Sequence, residues 1–271
     1  MLNDTDNEFL TRVSPGTPMG EYLRRFWMPF LLPEELPTPD CPPVRTTLLG
    51  EKLIAYKDSN GDIGLVDNYC PHRRASLFFG RNEECGIRCV YHGWKFDKDG
   101  NCVDMPSEPA ESNFKGKVKI RAYPARDWGG LIWAYMGPTE YIPELPNIDW
   151  ATLPNSHRVI SKRIQESNWV QSVEGGIDSS HISFLHSGVT PYMRDNPDKN
   201  SKPNLSTQDT SPKFTVDETD IGLLIGARRE VEKDQSYVRI TQMLLPFYTM
   251  IPGAIEPGRQ IGGHAWVPID D

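Results

Sequence analysis

Near the start of the chain, apolar residues recur at steps of three and four. Met19, Tyr22, Leu23 and Phe26 fall on one face within P-G-T-P-M-G-E-Y-L-R-R-F-W-M-P-F, which predicts a short helix over about 19–26, ended near Pro29. The proline-rich stretch 33–43 reads as a linker. From about residue 44 the pattern changes to strands. T-T-L-L-G-E-K-L-I-A-Y-K-D and I-G-L-V-D-N flank D-S-N-G-D (58–62), and Asn60-Gly61 is a strong tight-turn signal, so this is a hairpin. D-K-D-G-N (97–101) and D-W-G-G (127–130) mark two further turns, and 44–140 reads as a small domain of short antiparallel strands. Residues 137–156 carry four prolines and read as an interdomain linker. A strand over 158–165, a helical stretch over 167–186 interrupted at Gly175-Gly176, a polar loop over 187–212 and then several strands complete the pattern. The expected fold class is α+β, in three parts: 1–43, an N-terminal helix and linker; 44–140, an all-β domain; and 141–271, a domain of antiparallel sheet plus helix. No internal repeat is evident.

Composition narrows the partners. The 271 residues carry a net charge of −8, with a pI near 5.3, so no basic field is available for nucleic acid. The acidic M-L-N-D-T-D-N-E-F-L is neither a secretory signal nor a transit peptide. The longest apolar run, 243–255, is broken by Pro246 and Pro252, so no membrane helix of ~20 residues is expected. Five cysteines, an odd count without a signal peptide, point to a reducing cytosol and hence a cytoplasmic protein.

Residues 70–94 read C-P-H-R-R-A-S-L-F-F-G-R-N-E-E-C-G-I-R-C-V-Y-H-G-W: C-x-H, sixteen residues, C-x-x-H. A lone cysteine or histidine is usually structural, but two Cys/His pairs at matched short spacing call for another explanation. Zinc ribbons usually bring two cysteines per knuckle. One of each per loop suits a [2Fe–2S] cluster with two thiolates on one iron and two imidazoles on the other. The stretch resembles a Rieske domain, and Y-H-G-W-K-F-D (91–97) resembles the branch found in oxygenases. The resemblance implies that Cys70 and Cys89 hold one iron and His72 and His92 the other. High-potential Rieske proteins carry an extra cysteine in each loop and a serine that donates to a cluster sulfur. Ala75 and Trp94 stand at two of those positions here, so the potential is expected near the low end of the roughly −150 to +300 mV Rieske range. Cys85 and Cys102 are expected to be plain core or loop thiols. Arg73, Arg74, Arg81, Arg88 and Lys95 read either as a docking face for an acidic electron donor or as ordinary charge pairing with Glu83 and Glu84.

The second constellation is I-D-S-S-H-I-S-F-L-H (177–186). Asp178 and His181 are three apart and would share a helix face. His186, five beyond His181, is off that face by about 140° and has to lie past the helix end or on a distorted turn to converge, with Gly188 as a candidate stop. The spacing is not that of H-E-x-x-H, which removes the thermolysin-like zinc reading. N-W-V-Q-S-V-E-G-G-I-D-S-S-H-I-S-F-L-H (168–186) resembles the signature of Rieske non-haem iron oxygenases, phthalate dioxygenase-like branch, as does the N-terminal P-G-T-P-M-G-E-Y-L-R-R-F-W. The resemblance covers essentially the whole chain.

It implies a Rieske [2Fe–2S] domain at 44–140 and a partial helix-grip, START-like catalytic domain at 141–271. His181 and His186 would be two sides of a 2-His-1-carboxylate triad on mononuclear Fe(II), open to O₂. Asp178 would bind no iron and would bridge to a cluster histidine of a neighbouring subunit, in a homotrimer. A flavin/iron–sulfur reductase would supply electrons for hydroxylating or O-demethylating an aromatic, carboxylated compound. The third ligand is expected from a helix beyond Asp271, so the chain reads as an N-terminal fragment; Asp270 and Asp271 carry little weight as ligands. The alternative is a Rieske electron carrier, or an inactive fragment lacking a complete mononuclear site. Arg228, Arg229, Arg239 and Arg259 could meet a substrate carboxylate, though arginines on strands and turns are more often surface residues.

Overall fold

The structure, a computed structural model, describes residues 2–109, 111–186, 205–232, 234–252 and 262–271. It contains two compact units, residues 1–168 with 267–271, and residues 169–266.

The first unit begins with α1 (Asp4–Thr11), whose Asn3 cap accepts from the Asp6 amide at 2.9 Å, and α2 (Pro18–Leu23), capped by Thr17 with Pro18 in its first turn. The expected helix is therefore shorter than 19–26. The chain turns after Leu23, and Trp27–Leu31 becomes β1, buried at every position. Bulky side chains on both faces suit a covered strand better than a helix end. Pro29 is tolerated because β1 is the edge of a sheet ordered β1-β10-β9 and its register shifts between Pro29 and Leu31. Here β9 is Ala125–Trp128 and β10 is Leu131–Tyr135.

The hairpin signal gives β2 (Val44–Leu48), β3 (Glu51–Lys57) and β4 (Ile63–Asp67), an antiparallel sheet. In the β3–β4 turn, Gly61 has φ +87° and the Asp58 carboxylate accepts from the Asn60 and Asp62 amides. A four-stranded sheet follows: β5 (Arg81–Glu83), β6 (Gly86–Arg88), β7 (Lys95–Phe96) and β8 (Cys102–Asp104). One apolar core joins Ile54, Tyr56, Val66 and Leu77 to Ile87, Phe96, Met105 and Ile120. The proline-rich stretch 137–156 contains only a four-residue α3 (Asp149–Thr152) and two 3₁₀ turns. The strand expected over 158–165 does not form: Val159 is wholly exposed, Ile164 is mostly exposed, and neither has a ladder partner.

An ion network spans this unit. Arg24 on the turn after α2 meets Glu51 on β3 at 2.6 Å, with both side chains under a tenth exposed. Tyr123 donates to the same carboxylate at 2.8 Å, and Arg121 also contacts it. The segment 267–271 returns to the same region: Gly50 donates to the Ile269 carbonyl at 2.8 Å, and Asp271 accepts from the amides of Val13 and Ser14.

The second unit opens with α4 (Trp169–Ile177) and α5 (Ile182–Leu185). The helical stretch breaks after Ile177, not at Gly175-Gly176. Gly176 lies within α4 because a Cβ there would come within 2.7 Å of Thr249 Oγ1 and 3.0 Å of Trp266 Nε1. A helical turn at Leu205–Gln208 precedes a sequential antiparallel sheet of β11 (Lys213–Thr219), β12 (Gly222–Glu232), β13 (Gln235–Leu244), β14 (Tyr248–Met250) and β15 (Gly263–Ala265). The α+β expectation holds, with a β-rich first unit and a sheet-plus-helix second unit. No helix among the described residues is long and apolar enough to cross a membrane.

Glu51→Ala should strand a buried guanidinium. A loss of about 3–5 kcal/mol in urea unfolding followed by tryptophan fluorescence is expected.

Candidate functional site

Two tight loops in the first unit, 70–76 after β4 and 89–94 between β6 and β7, are built alike. In the first, the Cys70 amide donates to the Ala75 carbonyl and the Arg74 amide to the Cys70 carbonyl, each at 2.9 Å. In the second, Cys89 donates to the Trp94 carbonyl at 2.9 Å, and Gly93, at φ +75°, donates to the Cys89 carbonyl at 3.1 Å. Each cysteine is thus fixed by both backbone groups, and each loop carries its histidine at the outward bend. Cys70 and Cys89 are buried in one apolar core. The rings of His72 and His92 lie 4.4 Å apart between centroids.

Burial disfavours the charged forms of Cys70 and His72. Burial pushes the Cys70 thiol up, and both Cys89 and Cys102 nearby add to the effect. Burial lowers the basicity of His72, helped by His92 and Arg73. The Nδ1 of His72 is buried and has no hydrogen-bond partner. Such an orphan is costly unless something coordinates it. Among the described residues no three of His, Cys, Asp and Glu converge as a single metal ion requires. A two-iron cluster asks only for two pairs, and two thiols and two imidazoles are what these loops bring together. The donor set fits a [2Fe–2S] group.

The neighbours take definite roles. Cys102 is buried, with its thiol 3.4 Å from the Asp104 carbonyl, and Cys85 is half-buried; all five cysteines are free thiols. Arg88 turns inward. It meets Glu83 at 2.5 Å and Asp104 at 2.6 Å, and donates to the Gly93 carbonyl at 2.8 Å, which braces the second loop. Lys95 pairs with Glu84 at 2.9 Å and Arg81 with Glu83 at 3.0 Å. Of the expected basic cluster, Arg73, Arg74 and Arg81 stay exposed, the first two beside Val90 and Tyr91 without a carboxylate partner in a salt bridge among the described residues, while Arg81 is paired with Glu83.

In the second unit, Asp178 and His181 do meet, but across the turn between α4 and α5 rather than on one helix face. The Asp178 carboxylate accepts from the amides of Ser180 at 2.7 Å and His181 at 3.2 Å, and lies 3.1 Å from His181 Nδ1. Burial raises its pKa, but Ser180 and His181 together hold it below the ordinary carboxylate value. His181 and His186 flank α5, with ring centroids 5.1 Å apart. Fixing Nδ1 of His181 leaves Nε2 as the outward donor, an arrangement suited to a metal ligand. Gly188 and Arg259 lie outside the described residues.

Sequence reasoning missed the role of Arg229. Its guanidinium is fully buried and donates to the Ser179 hydroxyl at 3.1 Å, to the Ser179 carbonyl, and to the Asp209 carbonyl at 3.1 Å. It ties the Asp178–His181 turn to β12. The signal was present: Ile225, Ala227 and Arg229 alternate on one buried face of the strand. Arg228 points the other way and pairs with Glu230 at 2.9 Å. Arg239, opposite Ala227, shares the buried face and keeps Nε buried without a partner. Asp270 and Asp271 are exposed, and Asp271 is engaged by backbone amides.

Arg88→Met should lower stability at neutral pH and flatten its acid dependence. The carboxyl of Glu83 is lowered by Arg81 and Arg88, and that of Asp104 by Arg88. Their contribution is complete above the ordinary values of 4.5 and 3.8 and is lost as pH falls below them. Urea midpoints on both sides of that window check this.

Comparison with known proteins bears on both sites. The profile of the Rieske [2Fe-2S] domain matches residues 26–124, and that of the LigXa C-terminal domain like family matches 134–271. The chain is 44% identical to the 3-chlorobenzoate-3,4-dioxygenase oxygenase subunit of Comamonas testosteroni, over 98% of this chain and 60% of that protein. It is 45% identical to the phthalate 4,5-dioxygenase oxygenase subunit of Pseudomonas putida, over 100% of this chain and 62% of that protein. The chain therefore spans about three fifths of these curated relatives. Among solved structures, the terminal oxygenase of carbazole 1,9a-dioxygenase from Novosphingobium sp. KA1 has the same fold, with TM-score 0.61 at 20% identity over 91% of this chain and 70% of that one.

Proposed function

This chain belongs to the phthalate dioxygenase-like branch of the Rieske terminal oxygenases, and from that premise we propose that it is the oxygenase component of a system that hydroxylates or O-demethylates an aromatic acid with O₂. In this reading Cys70 and Cys89 hold one iron of a [2Fe–2S] cluster and His72 and His92 the other. The observation that carries it is the pairing of two buried thiols with two adjacent imidazoles, one of which has an orphaned buried Nδ1. The cluster, when bound, passes one electron at a time.

His181 and His186 are proposed to hold mononuclear Fe(II), which would activate O₂ when bound. Asp178 fixes the His181 ring through Nδ1 and, in a homotrimer, would carry the electron path to a neighbouring subunit. Arg229 holds the turn on which both depend. Arg239 is the proposed contact for a substrate carboxylate, since its Nε is buried, unpartnered and on the inward face of the sheet. The aromatic acids in the names of the relatives support that substrate class. The electron donor is proposed to be a flavin/iron–sulfur reductase meeting the exposed Arg73 and Arg74, and the compartment the cytosol, where five free thiols persist.

One observation favours a second reading, a Rieske electron carrier: among the described residues no carboxylate completes a three-ligand set with His181 and His186. Iron analysis with EPR of the dithionite-reduced protein separates the two. About three irons per chain with a Rieske signal support the oxygenase, and about two support the carrier. His92→Ala should abolish the Rieske signal. His181→Ala should leave that signal intact and remove one iron and all O₂-dependent product. Wild-type protein without iron, or with zinc, overturns the proposal.

A further inference from the structure

We infer that Trp94 is a positioning residue for the cluster, acting through the imidazole of His72. The inference rests on the proposed role of His72 as a ligand. A metal-bound histidine is ordinarily oriented by a hydrogen bond at its other ring nitrogen. Nδ1 of His72, buried and without a hydrogen-bond partner, is the nitrogen left to coordinate, and the ring has a further orienting contact: it lies flat against the Trp94 indole, centroids 4.6 Å apart and planes 7° from parallel. The indole is itself fixed. It is 5% exposed, its Nε1 donates to Ser107 Oγ at 3.0 Å, and its edge meets Phe114 at 6.2 Å and 70°. Ser107 lies outside the cluster loops, so the hydrogen bond ties His72's stacking partner to a separate segment. The stack sets the plane in which His72 can offer its lone pair and closes one ring face to water. The reduced cluster carries one more negative charge than the oxidised one, and water at that face would stabilise it. Trp94 therefore holds the potential down.

The test is a redox titration of the cluster, followed by EPR, in full-length Trp94→Phe, Trp94→Leu and Ser107→Ala proteins, with iron counted in each. Phenylalanine keeps a stacked ring and should leave the g-values and midpoint near wild type. Leucine keeps apolar volume without the stack. It should change the g-spread and favour the reduced state at least tenfold at fixed potential, a rise of about 59 mV for one electron. Ser107→Ala should move the midpoint the same way by a smaller factor. A leucine variant that keeps wild-type iron content and a Rieske signal, with an unchanged or lowered midpoint, overturns the inference. If leucine prevents cluster assembly, Ser107→Ala decides: an unchanged midpoint overturns it. A wild-type protein with no Rieske signal sinks the ligand assignment, and this inference with it. A normal wild-type signal with unmoved variants sinks this inference alone.

Discussion

Two thiols proposed to hold iron, which would have to lose their protons to do so, are set inside an apolar core. That constraint organises the first unit. Burial favours the protonated form of Cys70, so a metal held there would have to supply the cost of removing that proton. What burial costs in ionisation it returns in rigidity. The core residues around Cys70 and Cys89 come from both the β2-β3-β4 and β5-β6-β7-β8 sheets, so neither loop can move without disturbing the packing. The backbone bonds that close each loop then leave little freedom except in the histidine rings.

Buried cations bear on the geometry of both units by one physical route. Arg24 secures the turn after α2 through Glu51, Arg88 braces the second cluster loop through the Gly93 carbonyl, and Arg229 holds the Asp178–His181 turn through Ser179. A guanidinium has five donors in a rigid fork and stays charged when buried, so it can tie several acceptors at once where a lysine could not. A shared preference for arginine at these places follows from that geometry. None of the three needs to touch a reacting atom to matter for the chemistry.

Much of the site was legible because it is local. The C-x-H and C-x-x-H spacings encode tight loops, and the D-x-x-H step encodes a short turn, so Cys70, His72, Cys89, His92, Asp178 and His181 could be picked out as candidates without a fold. The β3–β4 hairpin was legible for the same reason, through Asn60-Gly61. What could not be read depends on partners far along the chain. Trp27–Leu31, just past the expected helix, was not legible as a strand because the strand that receives it lies a hundred residues on. The apolar residues in 158–165 looked like a strand because nothing local says that a partner is missing. Gly175 and Gly176 looked like a helix break, since the need for a close approach to Thr249 is invisible until α4 and β14 are packed. Arg88 and Arg229 read as surface charge because burial is a property of the fold.

The return of residues 267–271 to the first unit affects the order in which the molecule can be completed. Asp271 and Val13, joined by a hydrogen bond, stand 258 positions apart. Closing a flexible loop of that length costs roughly 5 kcal/mol in chain entropy unless the intervening chain is itself compact. During synthesis from the N-terminus, the hairpin, the cluster loops and the edge sheet can all form while the amides of Val13 and Ser14 still face solvent. The turn leading into α2 is thus made well before the segment that supplies its partner. A compact intervening chain lowers the cost of that late closure.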